Sequence, residues 1–287
     1  MPAIPIETMK LYNSTADMFI PDGTDTDQAL ARTTHLGISA HQDDLEIMAI
    51  HGILECYEVP GKGFTGVVCT NGAGSPRSGV YAQYTDEQMQ RVRRYEQRTA
   101  GMIGKYAAVL QLDYPSSVMK DPHAAPPKDD LVAILKATRP EVVYTHNPAD
   151  KHPTHIAVLR AALRAIRSLP AAERPKKLYG CEVWRDLDWL PDDRKTLLNV
   201  SGRDSLSAAL LGVFDSQIAG GKRYDLATMG RRRANATYFE SHSTDDIESA
   251  TYALDLTPLM LDDSLSLADY TSGLIDAFRA AVVKNLA

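Results

Sequence analysis

Cysteine is scarce, with three in 287 residues. Cys56, Cys69 and Cys181 share no CxxC spacing, which argues against both a thiolate metal centre and a disulfide framework. They read as buried thiols in a reducing compartment. Long apolar runs are missing too: none approaches the roughly 20 residues that a membrane helix needs, and the first thirty residues show no basic-then-apolar leader. The expectation is a cytoplasmic protein without membrane insertion. Positive charge is not in excess, since the formal net charge is −6. A nucleic acid or an anionic membrane would gain little from counterion release or surface attraction, so neither is expected as a partner, and small neutral substrates stay open. Repeats and low-complexity segments are absent. The apolar content, 44%, is ordinary for a chain that folds as one large α/β domain.

Two stretches stand out against this plain background. Residues 33–40 form a short, mostly apolar run suited to a buried strand. It breaks within one residue into His41-Gln42-Asp43-Asp44 and then into an apolar-periodic helix through Ile47, Ile50, Ile53 and Leu54. The second stretch repeats that form: Glu141 to Thr145 is β-branched, the following loop carries His146, His152 and His155, and a helix runs from Ile156 to Ile166. In an open α/β sheet, ligands bind at the carboxyl ends of strands. Imidazole nitrogens with one carboxylate oxygen make a common open zinc site. Each block also has an ordinary explanation, because paired Asp residues cap helices and a His-Pro run is often only a loop. Their recurrence at two strand ends favours chemistry.

The pattern as a whole resembles the PIG-L/LmbE family of zinc-dependent N-deacetylases. His41-Gln42-Asp43-Asp44 and His152-Pro153-Thr154-His155 are similar to its two signature blocks, which usually read His-Pro-Asp-Asp and His-Pro-Asp-His. Thr70-Asn71-Gly72-Ala73-Gly74-Ser75 resembles its glycine-rich loop, Arg93-Arg94-Tyr95-Glu96 with Ala100 its Arg-x-x-Glu-x-x-x-Ala helix, and Phe214-Asp215-Ser216-Gln217 a C-terminal Ser-Gln motif. The likeness covers roughly residues 33 to 240. It implies a Rossmann-like, doubly wound, mostly parallel sheet with helices on both faces. It further implies a Zn2+ ion, or another divalent metal, held by His41, Asp44 and His155. Asp43 would be the general base for a metal-activated water, and His152, protonated, would assist the oxyanion and the leaving amine. Arg93, Asp113, Asn71 and Asp150 would serve an N-acetylglucosamine-type substrate. Two departures bear on this. Gln42 replaces Pro, which loosens the turn, and Thr154 replaces the Asp that orients the second block's histidine, a task left to Asp150.

The rest of the chain is read more coarsely. Residues 1–32 are an N-terminal extension, and residues 33–287 a single domain with a C-terminal elaboration from about 176. Further strands are expected at Phe64–Thr70, Val109–Leu112 and Leu178–Trp184. Helices are expected from Asp86 to about Tyr106, Asp129 to Thr138, Ser205 to Ile218 and Gly273 to Leu286. Arg91, Arg93, Arg94 and Arg98 should lie largely outside the buried face of their helix, and Arg231-Arg232-Arg233, which invites reading as an anion site, is expected to be a solvated helix face as most short basic runs are. His35, His51 and His123 read as ordinary core or surface residues, and His242 has no assigned role. The alternatives are a Rossmann-type nucleotide or sugar-phosphate binding protein without hydrolase activity, using the Gly72 loop, and a two-metal phosphoesterase, for which carboxylates are too few. Homo-oligomerisation stays open.

Overall fold

A computed structural model describes residues 9–287; the first eight residues of the N-terminal extension lie outside the described residues. Among the described residues, eight strands form one sheet: β1 (Asp17–Phe19), β2 (His35–Ser39), β3 (Phe64–Thr70), β4 (Ala108–Tyr114), β5 (Val142–His146), β6 (Lys177–Cys181), β7 (Lys195–Asn199) and β8 (Ala250–Asp255), in the order β1-β4-β3-β2-β5-β6-β8-β7. β4, β3, β2, β5 and β6 run parallel. β1 adds antiparallel to β4, and β8 antiparallel to β6 and β7. This is the mostly parallel Rossmann-like sheet expected from the sequence.

The order has one consequence for function. The chain winds from β2 outward through β3 to β4, then returns to place β5 on the other side of β2. The carboxyl ends of β2 and β5 therefore sit side by side at the point where the winding reverses. Loops diverge there and leave a crevice.

Helices cover both faces. On one, Leu36, Ile38, Val67, Leu110 and Val143 belong to a single apolar cluster with Val158, Ala162 and Ile166 of the helix Pro153–Arg167. On the other, Val68, Val109 and Tyr144 meet Leu45, Ile50, Ile53 and Phe214. All seven residues of β3 are buried, the pattern of a central parallel strand covered on both sides. The expected span of β3 matches the observed one, because a mostly apolar, β-branched run bounded by turn residues favours a buried strand. The helix Asp86–Ile103 starts at a capping box in which Thr85 and Gln88 bond each other's backbone N–H groups.

Several features differ from the sequence expectation: the helix expected through Ile47, Ile50, Ile53 and Leu54 is two, Asp44–Met48 and Ile50–Cys56, and the strand expected to reach Trp184 ends at Cys181. The single helix expected over Ser205 to Ile218 is two, Asp204–Gly212 and Asp215–Ile218, broken at Val213 and Phe214. Arg93 is only 2% exposed and lies on the inner face of its helix with Met89, Gln97 and Ala100. Arg232 is also 2% exposed, so the Arg231–Arg233 run is not a solvated face. Its guanidinium donates to the carbonyls of Glu46 and Ile47 at the end of the helix Asp44–Met48. A cation is favourable at a helix carboxyl end.

Among the described residues, no helix is long and apolar enough to cross a membrane. The three cysteines are buried and unpaired. From Ile275 to the end, the last helix, Leu267–Leu286, is exposed, with Ile275, Phe278, Val282 and Leu286 turned to solvent.

Candidate metal and catalytic site

Both sequence blocks arrive at the crevice between β2 and β5. After β2 the chain turns sharply at Asp43, whose φ is 91°, a left-handed conformation that is unusual for a residue other than Gly or Asn and typical of functional turns. The Asp44 carboxylate closes this turn by accepting the His41 backbone N–H at 2.7 Å. Gln42, where the family pattern has Pro, does more than fill the turn. Its amide nitrogen reaches the Thr70 carbonyl and the Gln111 side chain, both at 3.2 Å, tying the loop to β3 and β4. Gly72, with φ of 76°, lies so close that a Cβ there would stand 2.8 Å from the Gln42 side-chain oxygen. The glycine-rich loop is thus packed onto the first block.

On the other side, His152 caps the helix Pro153–Arg167, its Nδ1 accepting the Thr154 N–H at 3.3 Å. One turn in, His155 is fully buried. The three atoms His41 Nδ1, Asp44 Oδ2 and His155 Nε2 form a nearly equilateral triangle, with sides of 3.2, 3.2 and 3.3 Å. Donors on a tetrahedral metal with bonds of about 2.0–2.1 Å stand about 3.3 Å apart, so these residues fit such an ion. Asp150 Oδ1 lies 3.3 Å from His155 Nδ1. A carboxylate behind a ligating imidazole directs the far nitrogen's lone pair at the metal.

Other imidazoles crowd the same place. Groups of His41, His152 and His155, and of Asp44, His146 and His155, also bring potential donor atoms together. His146 Nε2 already accepts the Ala40 N–H at 2.9 Å, and its ring stacks on His155 at 3.9 Å. It is therefore occupied as an acceptor and buttresses His155. His152 lies with its ring 4.7 Å from those of both His41 and His155.

Charge states follow from burial and neighbours. Burial opposes ionisation of Asp44, but His155, His41 and His146 hold its carboxyl far below the usual range. His155 is disfavoured as a cation by burial, yet Asp44 and Asp150 outweigh this and raise it. Burial pushes Asp43 up to about 6 against the pull of Arg93, whose Nη2 is 3.3 Å away. Burial, then the neighbouring His41 and His155, push His152 down to about 4. At pH 7 that ring is neutral, not protonated as the sequence suggested. With Nδ1 accepting from Thr154, its proton sits on Nε2.

The remaining site residues divide. Arg93 donates to the Gln42 carbonyl and lies 3.6 Å from Glu96, so it braces Asp43 from behind while touching the cavity wall. Glu96 in turn accepts the Ser216 N–H and hydroxyl at 2.7 Å, which docks the Ser-Gln motif and leaves Gln217 on the cavity. Asp150 accepts the His152 and Trp184 N–H groups and does not line the cavity; its side chain faces His155 and not the His152 ring. Asn71 accepts the Ala73 N–H and also stands off the cavity lining. Asp113 is bonded to Thr15 and Arg94 and is not brought to the site. His242 is exposed. The sequence reading missed Trp184, Lys222, Tyr224 and Arg231, which line the cavity of about 560 Å³ with His41, Asp43 and Asp44. They follow the second His block, where only Arg231 stood out in the sequence, as part of a basic run read as a solvated helix face.

Glu46, fully buried beneath the site, accepts hydrogen bonds from Gln97 at 2.8 Å and Tyr106 at 2.7 Å. Burial lifts its carboxyl from 4.5 to about 8. Below about 4.5 both folded and unfolded chains hold this proton. Between there and about 8 only the folded chain does, so the contribution to stability is lost as pH rises through that window. Glu46→Gln should therefore stabilise the metal-free protein at pH 7.5 by on the order of 2 kcal/mol and have little effect at pH 4. Thermal melts at the two pH values check this, and an equal shift at both would contradict a neutral Glu46.

The fold and the site together define a Rossmann-like α/β protein with a His/Asp centre at its topological switch point. Residues 36–166 match the family model described as PIG-L: GlcNAc-PI de-N-acetylase. Solved structures agree on the fold. N,N'-diacetylchitobiose deacetylase from Pyrococcus horikoshii is 14% identical, with TM-score 0.61 over 84% of this chain and 89% of that one. A conserved protein from Thermus thermophilus is 20% identical, with TM-score 0.60 over 77% and 93%. GalB, the 4-carboxy-2-hydroxymuconate hydratase from Pseudomonas putida, is 18% identical, with TM-score 0.59 over 78% and 95%. Because a deacetylase and a hydratase share this fold, it does not by itself choose the reaction. Among curated protein sequences none matches this chain.

Proposed function

We propose that this protein is a metal-dependent hydrolase that removes the acetyl group from the nitrogen of an acetylated amino sugar or its glycoside. The observation that carries the reading is the 3.2–3.3 Å triangle of His41, Asp44 and His155 donor atoms beside Asp43 in an open cavity. A divalent ion held there, zinc foremost, supplies Lewis acidity, which acidifies water and polarises an amide carbonyl. The chain's own groups do the rest. The Asp43 carboxylate, ionised above about pH 6, takes a proton as water adds to the acetamide carbon. The His152 Nε2–H donates a hydrogen bond to the oxyanion that develops. Asp43 returns its proton to the nitrogen as the C–N bond breaks, giving acetate and a free amine. Arg93 holds Asp43 in place throughout.

The test is acetate release from N-acetylglucosamine and its glycosides by the metal-loaded protein. Release should stop on chelation and return with added zinc. Metal binding without acetate release would retire the hydrolase reading in favour of a sugar-phosphate or nucleotide binding protein.

A further inference from the structure

Arg93 and Arg232 are each 2% exposed, and the proposed chemistry uses only Arg93. Arg232 sits in the helix Tyr224–Tyr238, remote in sequence from both His blocks. Burial lowers it only to about 10, so at neutral pH it is a cation. Among the described residues it pairs with no carboxylate. Glu182, which lines the same small void of about 10 Å³, is taken up by the backbone N–H groups of Leu187 and Tyr252 and by the Asn235 amide. The Arg232 Nε is buried without a protein partner, and Nη1 reaches only the Met229 sulfur, at 3.8 Å. A buried cation with hydrogen bonds left unmade destabilises a fold, and an apolar chain of similar length often does better in its place. Packing therefore does not account for Arg232.

Its Nη2 does more. It donates to the Glu46 carbonyl at 2.7 Å and reaches the Ile47 carbonyl at 3.4 Å. Both belong to the helix Asp44–Met48, whose first residue is the metal-ligand candidate Asp44. Five residues make less than two turns, too few to hold a helix unaided. Asp43, just before it, supplies no side-chain cap bond and has the left-handed φ of 91°. The backbone breaks again at Ala49, before the helix Ile50–Cys56. A guanidinium holds each end of this short element. Arg93 donates to the Gln42 carbonyl and faces the Asp43 carboxylate at 3.3 Å. Arg232 holds the carboxyl end, where a cation also suits the helix dipole.

We propose that Arg232 is a positioning residue for the metal site: it clamps the helix Asp44–Met48 so that the Asp44 carboxylate meets His41 and His155 at the spacing a metal ion requires. Its contacts are with the helix backbone and not with the donor atoms. This rests on the metal reading of the donor triangle, and not on which acyl group is removed.

The test uses cobalt(II) in place of zinc, because its visible bands report the geometry of its donors. Cobalt is titrated into metal-free wild type, Arg232→Met, Arg232→Lys and Arg233→Gln without substrate, and affinity and spectrum are recorded. Arg233 lies on the same helix but is exposed and pairs with Asp204. Arg232→Met should bind cobalt about thirtyfold more weakly, within the range for groups that support a ligand from behind, with weaker and shifted bands. Arg232→Lys keeps a charge but not the planar fork, and should bind about threefold more weakly with bands close to those of the wild type. Arg233→Gln should match the wild type in both. In the zinc-saturated proteins acetate release should fall in the same order through kcat, with KM within about twofold of the wild type. Packing alone would make Met at least as good as Lys, so cobalt binding by Arg232→Met as tight as by Arg232→Lys would overturn the inference. Should Arg232→Met not fold, the threefold loss in Arg232→Lys carries the test, and wild-type affinity there would overturn it. Cobalt binding in the expected order with no acetate released would leave the positioning role standing and remove the hydrolase reading. No cobalt bound by the wild type would remove both.

Discussion

Asp43→Asn should lower acetate release by about 10³-fold, within the range a positioned general base contributes, while the bound metal stays at the wild-type level. The carboxylate is outside the donor triangle and has its own environment. Burial raises it to about 6, and Arg93 at 3.3 Å limits the rise. A base of that strength is mostly ionised at neutral pH yet still accepts a proton readily. Asn keeps the size of the side chain and tolerates the positive φ at this position, so the turn that presents His41 and Asp44 should survive. Metal analysis and steady-state rates on the same preparation decide the matter. A variant that hydrolyses substrate at the wild-type rate would show that Asp43 is not the base. One that loses metal would place Asp43 among the ligands.

His155→Ala should abolish both metal binding and acetate release, from about one zinc per chain to none. His155 is the corner of the triangle supplied by the second strand end, and without it only His41 and Asp44 remain. Its removal also leaves Asp44 and Asp150 without the imidazole that neutralises them, two carboxylates at 3.3 Å from the missing ring. The lost ring opens a void between His146 and His152, so some loss of stability is expected as well. His146→Ala separates the two effects. It disturbs the same stack, but its nitrogen is engaged by Ala40, so the metal should remain. Retention of metal by the His155 variant would mean that the second block is not a ligand loop.

Much of the fold was legible because it follows from local pattern. The five parallel strands are continuous apolar runs between turns, and helices with a regular apolar face alternate with them. The antiparallel additions were not. β1 is three residues long, and β7 and β8 lie in a C-terminal region whose burial depends on partners distant in sequence. Arg93 and Arg232 were misplaced for a related reason. Arg is ordinarily exposed, and only the arrangement of Asp43, Glu96 and the carbonyls of Gln42, Glu46 and Ile47 around them makes burial tolerable.

The sequence alone determined that two polar blocks stand at strand ends, that each carries the residue types of a metal site, and that the sheet between them is mostly parallel. These depend on composition and periodicity, which are properties of neighbours along the chain. Tertiary structure alone decided that the two ends meet across the switch point with their donor atoms 3.2–3.3 Å apart. It also set apart the residues that touch the cavity from those, such as Asp150 and Asp113, that do not. Net charge could not foretell Lys222 and Arg231 on the cavity wall of a chain of charge −6. A sum over residues carries no position, whereas the field a ligand meets depends on which side chains folding brings to one place.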